Sequence, residues 1–474
     1  MLLAIDQGTT GTTCLVVDEE LRTVGRGYRE LRQHFPAPGL VEHDADEIWE
    51  TVVGAAGAAL AGAGVAAGEL RAIGIANQRE TTLVWNRRTG HPIGRAIVWQ
   101  DRRTAARCLQ LPAELIRMRT GLVPDPYFSA TKLEWLLGTA GSAGDLAFGT
   151  VDSWLVWKLT RGAHLTDVTN ASRTMLFDIG SLEWDDELLA LFGVPRSVLP
   201  EVVSSCGELA EGDLLGARLP ITGIAGDQQA ALFGQACFEP GQAKATYGTG
   251  SFVLVNAGVE AGEAPDGILQ TVAWRLRDEA PVYALEGSVF VAGAALQWLR
   301  DGLGLLGDAA ESEALARSLA GNDGVYFVPA LTGLGAPHWA PEARGLLTGL
   351  TRGTRREHLV RAALEAIAFQ TRDVFDAMGV PLELVRADGG GAANGFLMQL
   401  QSDLARVPVE VPAEREATAL GAAALAGLGA GIWSSTGELA GKWRCSARYE
   451  PQLEEAEAEL LLGGWRDAVR RTLF

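Results

Sequence analysis

The chain is predicted to be an α/β protein made of two similar halves, on three observations. Short apolar, strand-like segments alternate with helical segments throughout. A strand running into a glycine-threonine turn occurs twice, as Leu2-Leu3-Ala4-Ile5 before Asp6-Gln7-Gly8-Thr9-Thr10 and as Ala243–Tyr247 before Gly248-Thr249-Gly250-Ser251. At 474 residues the chain is too long for one ordinary core. The repeated turn reads as a diverged internal duplication. Its boundary is placed near Pro240, in the turn Glu239-Pro240-Gly241, giving halves 1–240 and 241–474 that face each other across a cleft.

Taken in order, Leu2–Asp6, Thr12–Asp18 and Thr23–Arg29 form a strand meander. Asp46 caps a helix through Trp49 and Val53, whose uncharged continuation, 52–68, is rich in Ala and Gly and suits packing on a sheet better than spanning a membrane. Arg71–Ala76 is a strand ending in Asn77-Gln78-Arg79-Glu80. Thr82–Trp85 and Ala96–Trp99 are strands joined by a turn at Arg87–Gly90. Phe128–Leu137, Asp152–Leu159 and Asp185–Phe192 read as amphipathic helices. Leu219–Ala225 is a strand leading into Gly226-Asp227-Gln228-Gln229, and Asp227 starts a helix through Leu232. After the second threonine turn, Phe252–Asn256 returns as a strand. Leu384–Ala387 is a strand before the glycine-rich turn Asp388–Asn394, and a helix runs from Phe396.

Composition narrows the function classes. The chain is 47% hydrophobic and 21% charged, as in ordinary folded proteins, and its formal charge of −19 repels duplex nucleic acid and anionic membranes. No nucleic-acid or membrane partner is expected. Cys14, Cys108, Cys206, Cys237 and Cys445 are scattered and odd in number, which argues for a reducing compartment over a disulfide framework. Strand-like sequence from Leu2 leaves no signal peptide, and the expected location is cytoplasmic. The histidines show no metal-ligand spacing.

The motifs point to phosphoryl transfer. Small residues and hydroxyls in 8–13 let phosphates approach the backbone, while Asp6 addresses a metal ion. No lysine sits in a P-loop pattern, and Gly302-x-Gly304-x-x-Gly307 follows a helical stretch, so it is a helix-end loop rather than a dinucleotide fingerprint. Asp227 is the sharpest catalytic candidate. A carboxylate at a helix start stays ionised and accepts a hydroxyl proton, although an ordinary N-cap aspartate has the same sequence signature. Gln228 orients a hydroxyl. Arg79 and Glu80 offer a fork of donors and two acceptors to vicinal hydroxyls, where an isolated dipeptide would be a surface ion pair. Trp99, Tyr127 and Phe252, each a core residue by default, together supply an apolar wall for a carbon backbone. The turn at Asp388–Asn394 admits a flat base or a phosphate.

These segments occur together in one family. With Ala96–Gln100, Asp125–Ser129, Gly149–Trp154, Thr169–Met175 and Leu331–Pro337, the chain resembles the glycerol-phosphorylating branch of the FGGY carbohydrate kinase family over essentially its whole length. The resemblance implies two ribonuclease-H-like domains of the actin-like ATPase fold flanking a central cleft. Residues 1–240 would bind polyol, phosphate and metal, and 241–474 the nucleotide. It implies ATP-dependent phosphorylation of glycerol to sn-glycerol 3-phosphate, with Asp227 as general base and Mg2+ held at Asp6 through water. Arg79, Glu80, Tyr127, Asp227 and Gln228 would hold glycerol against Trp99 and Phe252. Thr9, Thr10, Thr249, Gly293, Gln297, Gly390 and Asn394 would contact the nucleotide. Gly11 and Thr13 stand where the family often has serine and arginine, which alters local phosphate contacts. A homodimer or homotetramer follows from the same likeness. The competing readings are a kinase of another small polyol or ketose, and a nucleotide-driven switch or filament protein, which would have no use for Arg79-Glu80 beside Asp227.

Overall fold

The computed structural model describes residues 1–140 and 145–473. Its first sheet is built from β1 (Leu2–Gln7), β2 (Gly11–Val17), β3 (Thr23–Glu30), β4 (Ile73–Asn77), β5 (Cys206–Leu214) and β6 (Ala217–Gly226), in the order β5-β6-β4-β1-β2-β3. The second is built from β7 (Gln242–Tyr247), β8 (Ser251–Gly258), β9 (Leu269–Trp274), β10 (Val282–Val289), β11 (Leu384–Asp388), β12 (Val409–Pro412) and β13 (Cys445–Tyr449), in the order β9-β10-β8-β7-β11-β12-β13. Five strands of each sheet follow one plan. β6, β4 and β1 run parallel and β2 and β3 return antiparallel, as do β12, β11, β7, β8 and β10. This shared plan is the ribonuclease-H-like topology of the actin-like ATPase fold.

Strands at the middle of the first sheet are covered on both faces, so β2 and β4 are buried at every residue and read as apolar runs. One cover is helix α1 (Ala45–Ala63), and β3 meets it with glycines. A Cβ on Gly25 or Gly27 would overlap the backbone of Ala59 or Ala55. The other cover crosses from the second half. Helix α2 (Asp227–Gly234) follows β6, and α4 (Ala417–Gly429), which comes after α3 (Gly395–Ala405), lies on β1, β4 and β6. Gly74 and Gly223 have no space for a Cβ beneath Ala422 and Ala426, and Thr222 Oγ1 donates to the Ala426 carbonyl at 2.8 Å. Alanine on one side and glycine on the other bring helix and sheet to backbone contact, which joins the halves through a shared apolar layer.

The topology gathers the motifs. β1, β4 and β6 end side by side, with Gln7 and Gly226 both opposite Asn77, so Asp6, Gln78–Glu80 and Asp227 leave the carboxyl edge of one parallel sheet.

Local expectations hold in part. The cap of α1 is Asp44, whose Oδ1 accepts from the amides of Asp46 and Glu47 at 3.0 and 3.2 Å; Asp46 sits in the first turn. Asp227 starts its helix, as expected, without capping it. Gly226 holds the cap position and Asp227 is the first helical residue. The hairpin expected over 82–99 forms, but irregularly: around the turn the Asn86 amide donates to the His91 carbonyl at 2.9 Å, Ile93 to Val84 at 3.0 Å, and Thr82 and Ile97 exchange bonds at 2.9 and 3.0 Å. Leu83–Asn86 also pairs with Leu146–Gly149, and Ala96–Ile97 with Glu42–His43. The segment after Gly302 is a loop behind a helical turn at Trp298–Gly302, as expected. Among the described residues no helix is long and apolar enough to cross a membrane.

Candidate active site

Glu80 follows β4 in a left-handed conformation, φ +60°, and the Thr81 amide donates to the Arg79 carbonyl at 2.7 Å across it. This tight three-residue turn costs a non-glycine residue roughly 1–3 kcal/mol and occurs where function fixes a side chain. It sends Arg79 and Glu80 into a cluster of buried charges. Arg79 Nη1 and Nη2 bond the two carboxylate oxygens of Glu286 at 2.6 and 3.0 Å, and Arg173 bonds Glu286 Oε1 at 3.0 Å and Glu80 Oε1 at 2.7 Å. All four side chains are at most 2% exposed. Two cations and two anions balance, leaving a polar wall with no net charge, which suits a neutral polyhydroxy ligand. Burial alone would raise the Glu286 carboxyl, but the guanidiniums of Arg173 and Arg79 more than offset it and hold it at about 2.

Asp227 lies at the edge of this cluster. Its Oδ1 sits 3.2 Å from Arg79 Nε and accepts from the Gln228 amide at 2.7 Å. Burial raises its pKa, against the opposing pull of Arg79, the Gln228 N–H and Lys244, which strengthens the carboxylate as a base. Lys244 Nζ, fully buried, donates to Gln228 Oε1 and lies 3.5 Å from the Phe252 carbonyl. Tyr127 Oη is 3.4 Å from Arg79 Nη2, and its ring meets Trp99 edge to face at a centroid distance of 5.5 Å. Trp99 Nε1 donates at 2.9 Å to Thr9 Oγ1, tying the aromatic wall to the first threonine turn. Phe252 projects from the same face of the second sheet as Glu286, in the neighbouring row of paired residues.

Arg79, Glu80, Trp99, Tyr127, Asp227, Gln228 and Phe252 thus converge where the halves meet. The nucleotide-side residues divide into two groups. Thr249, Gly293, Gln297, Gly390 and Asn394 line one cavity of about 560 Å³, a size that holds a small-molecule ligand. Asn394 also caps α3, its Oδ1 accepting from the Leu397 amide at 3.0 Å. Thr9, Thr10, Gly11 and Thr13 lie outside that cavity, on the opposing hairpin closed by the Gly8 amide on the Gly11 carbonyl at 2.9 Å. Thr13 pairs directly with Asp6 and shares its face of the sheet. Gly11 is a packing requirement, since a Cβ there would lie 2.5 Å from Tyr28 Oη.

Burial, then the neighbouring carboxylates of Asp227 and Glu416, push the Asp6 carboxyl up to about 8. An acid held against other acids without a basic partner fits a divalent cation. Among the described residues no group of three or more His, Cys, Asp or Glu side chains forms a metal cage, so phosphate and water oxygens would complete the coordination.

Three residues of the buried cluster escaped the sequence reading. Glu286 and Lys244 carried a usable signal, each being a lone charge inside an apolar strand, because buried charges are nearly always paired. Arg173 lay within a quoted motif without a role.

The family model for the N-terminal domain of the FGGY family of carbohydrate kinases matches residues 1–234, and that for the C-terminal domain matches 243–430. The chain belongs to the FGGY family of carbohydrate kinases. Glycerol kinase of Deinococcus radiodurans is 54% identical to this FGGY kinase, over 99% of this chain and 97% of that one. Glycerol kinase of Aromatoleum aromaticum is 55% identical over 99% and 98%. The crystal structure of Plasmodium falciparum glycerol kinase with ADP superposes with a TM-score of 0.95 at 37% identity, covering 100% of this chain and 98% of that one. Gluconate kinase from Lactobacillus acidophilus, at 21% identity and a TM-score of 0.90, shares the fold.

Proposed function

We propose that this FGGY kinase transfers the γ-phosphoryl group of ATP to a terminal hydroxyl of glycerol, giving sn-glycerol 3-phosphate and ADP. The observation that carries the reading is the 3.2 Å approach of Asp227 Oδ1 to Arg79 Nε, which puts a basic carboxylate against the group that grips the polyol. Identity above 50% to relatives named glycerol kinase supports the choice of polyol.

In this reading Arg79 and Glu80 hold vicinal hydroxyls, Gln228 orients one of them, and Trp99, Tyr127 and Phe252 cover the carbon chain. Asp227 accepts the proton as the hydroxyl oxygen attacks phosphorus in line. The cavity at Thr249, Gly293, Gln297, Gly390 and Asn394 takes the nucleotide, and the hydroxyls of Thr9, Thr10 and Thr13 with the amide of Gly11 meet its phosphates. Asp6 would hold Mg2+, which when bound supplies charge neutralisation at the transferring phosphoryl group. Packing of the halves against each other excludes water from the polyol. The N-terminal half, 1–240, serves polyol and phosphate, the C-terminal half, 241–474, the nucleotide. A cytoplasmic homodimer or homotetramer is the setting proposed.

A coupled assay for glycerol 3-phosphate tests this, with dihydroxyacetone, xylulose and erythritol run in parallel. The expected result is ATP-dependent product from glycerol at the highest kcat/KM of the set. ATP hydrolysis without a phosphorylated polyol would overturn it.

A further inference from the structure

Glu286 and Lys244 belong to one transverse row of the second sheet. Lys244 on β7 pairs directly with Leu254 on β8, and Leu254 with Glu286 on β10, so all three project from one face. That face meets the N-terminal half. The two charged members reach across to different parts of the polyol site, Glu286 to Arg79 and Arg173, Lys244 to Gln228. Neither has solvent access.

We propose that Glu286 and Lys244 are positioning residues of the polyol site, supplied by the C-terminal half and required to hold Arg79, Glu80 and Gln228 in their binding orientations. The inference rests on the polyol-kinase reading above. The geometry gives each contact a defined consequence. Glu286 takes both terminal nitrogens of the Arg79 fork and thereby directs Nε toward Asp227, at 3.2 Å. Through Arg173 it also fixes Glu80 Oε1, and Glu80 Oε2 accepts no hydrogen bond from the described residues, which leaves it for a substrate hydroxyl. Lys244, a donor without acceptor capacity, occupies Gln228 Oε1 and so presents the amide Nε2 as a donor. The polyol grip on the first half is therefore set by a row of side chains on the second. Polyol recognition and the seating of one half on the other are one arrangement.

The test uses full-length Glu286→Gln and Lys244→Met, with folding checked by near-ultraviolet circular dichroism. The wild-type enzyme is measured first for glycerol 3-phosphate formation; an inactive wild type overturns the functional reading itself. With an active wild type, each folded variant is expected to raise KM for glycerol by about tenfold or more while KM for ATP stays within about twofold, a split that general destabilisation does not produce. A glycerol KM within about twofold of wild type in the folded variants, or equal losses for both substrates, overturns the proposal. If Glu286→Gln does not fold, Arg173→Lys carries the same expectation through the Glu286–Glu80 link. Failure of both to fold assigns the cluster to stability alone and overturns it too.

Discussion

Asp227 Oδ1 stands 3.2 Å from Arg79 Nε, and Arg79 is itself clamped by Glu286 from the other half of the molecule. The carboxylate is thereby directed to the proposed polyol site while burial strengthens its basicity. Asp227→Asn keeps the shape and removes the proposed base. The expected outcome is a loss of ~10²–10⁴ in kcat, with ATP affinity measured by calorimetry unchanged. Near-normal turnover in this variant would remove Asp227 from the mechanism.

Lys132 organises the segment that carries Tyr127. Its Nζ donates to the carbonyls of Pro126, Tyr127 and Phe128 at 2.9, 2.6 and 2.9 Å, and the side chain is fully buried. Lys132→Met removes the donor that these three carbonyls share. A stability loss of about 3 kcal/mol is expected in denaturant titration, together with a higher KM for glycerol as Tyr127 is released.

The junction of the halves depends on glycine. Gly223→Ala places a methyl group into the backbone of Ala426 on α4, and neither side can yield without separating helix from sheet. Overpacking of this kind costs about 2 kcal/mol or more, so a fall in thermal midpoint is expected. Gly68→Ala, at a position with no atom near the added methyl, is the control and should leave the midpoint unchanged.

His164 is arranged as a neutral imidazole. Its Nε2 lies 2.6 Å from the Phe148 carbonyl, as a donor, and its Nδ1 is 3.1 Å from Arg87 Nη1, as an acceptor. Burial, then Arg87, lower its pKa to about 4. Between the unfolded value near 6.5 and that folded value the unfolded chain binds more protons, so stability is full above this window and falls as pH drops through it. A decline in thermal midpoint from pH 6.5 toward 4 is expected, and a shallower one in His164→Gln. A slope that the substitution leaves unchanged would assign the acid sensitivity elsewhere, with His43, also lowered to about 4 by burial, then by His34, as the next residue to replace.

The legible part of this protein was local and repeated. The strand-turn units at Asp6 and Thr249 expose the duplication because each is a short apolar run broken by residues that only a tight, polar turn favours, and the two sheets follow the one plan this implied. Trp99, Tyr127, Arg79 and Asp227, which the fold brings together, were singled out because each belongs to a compact motif. Pairing at a distance was not legible. Glu286 lies more than 200 positions from Arg79, and nothing around Val282–Val289 names its partner. The second partner of Leu83–Asn86, Leu146–Gly149, was not legible either, whereas its local hairpin was; Gly90, Pro92 and Gly94 in the returning arm keep that hairpin from forming a regular ladder. The cap of α1 was legible in principle, since Asp44 and Glu47 have the spacing of a capping pair and Asp46 does not.

The central claim is that one gap between the halves brings the terminal phosphoryl group of ATP against glycerol held beside Asp227. A crystal structure with glycerol and a non-hydrolysable ATP analogue tests it most directly. The account expects a terminal glycerol hydroxyl within hydrogen-bond distance of Asp227, its vicinal hydroxyls on Arg79 and Glu80, and the analogue's base in the cavity at Gly390 and Asn394. Glycerol bound elsewhere, with Asp227 facing solvent alone, would contradict it.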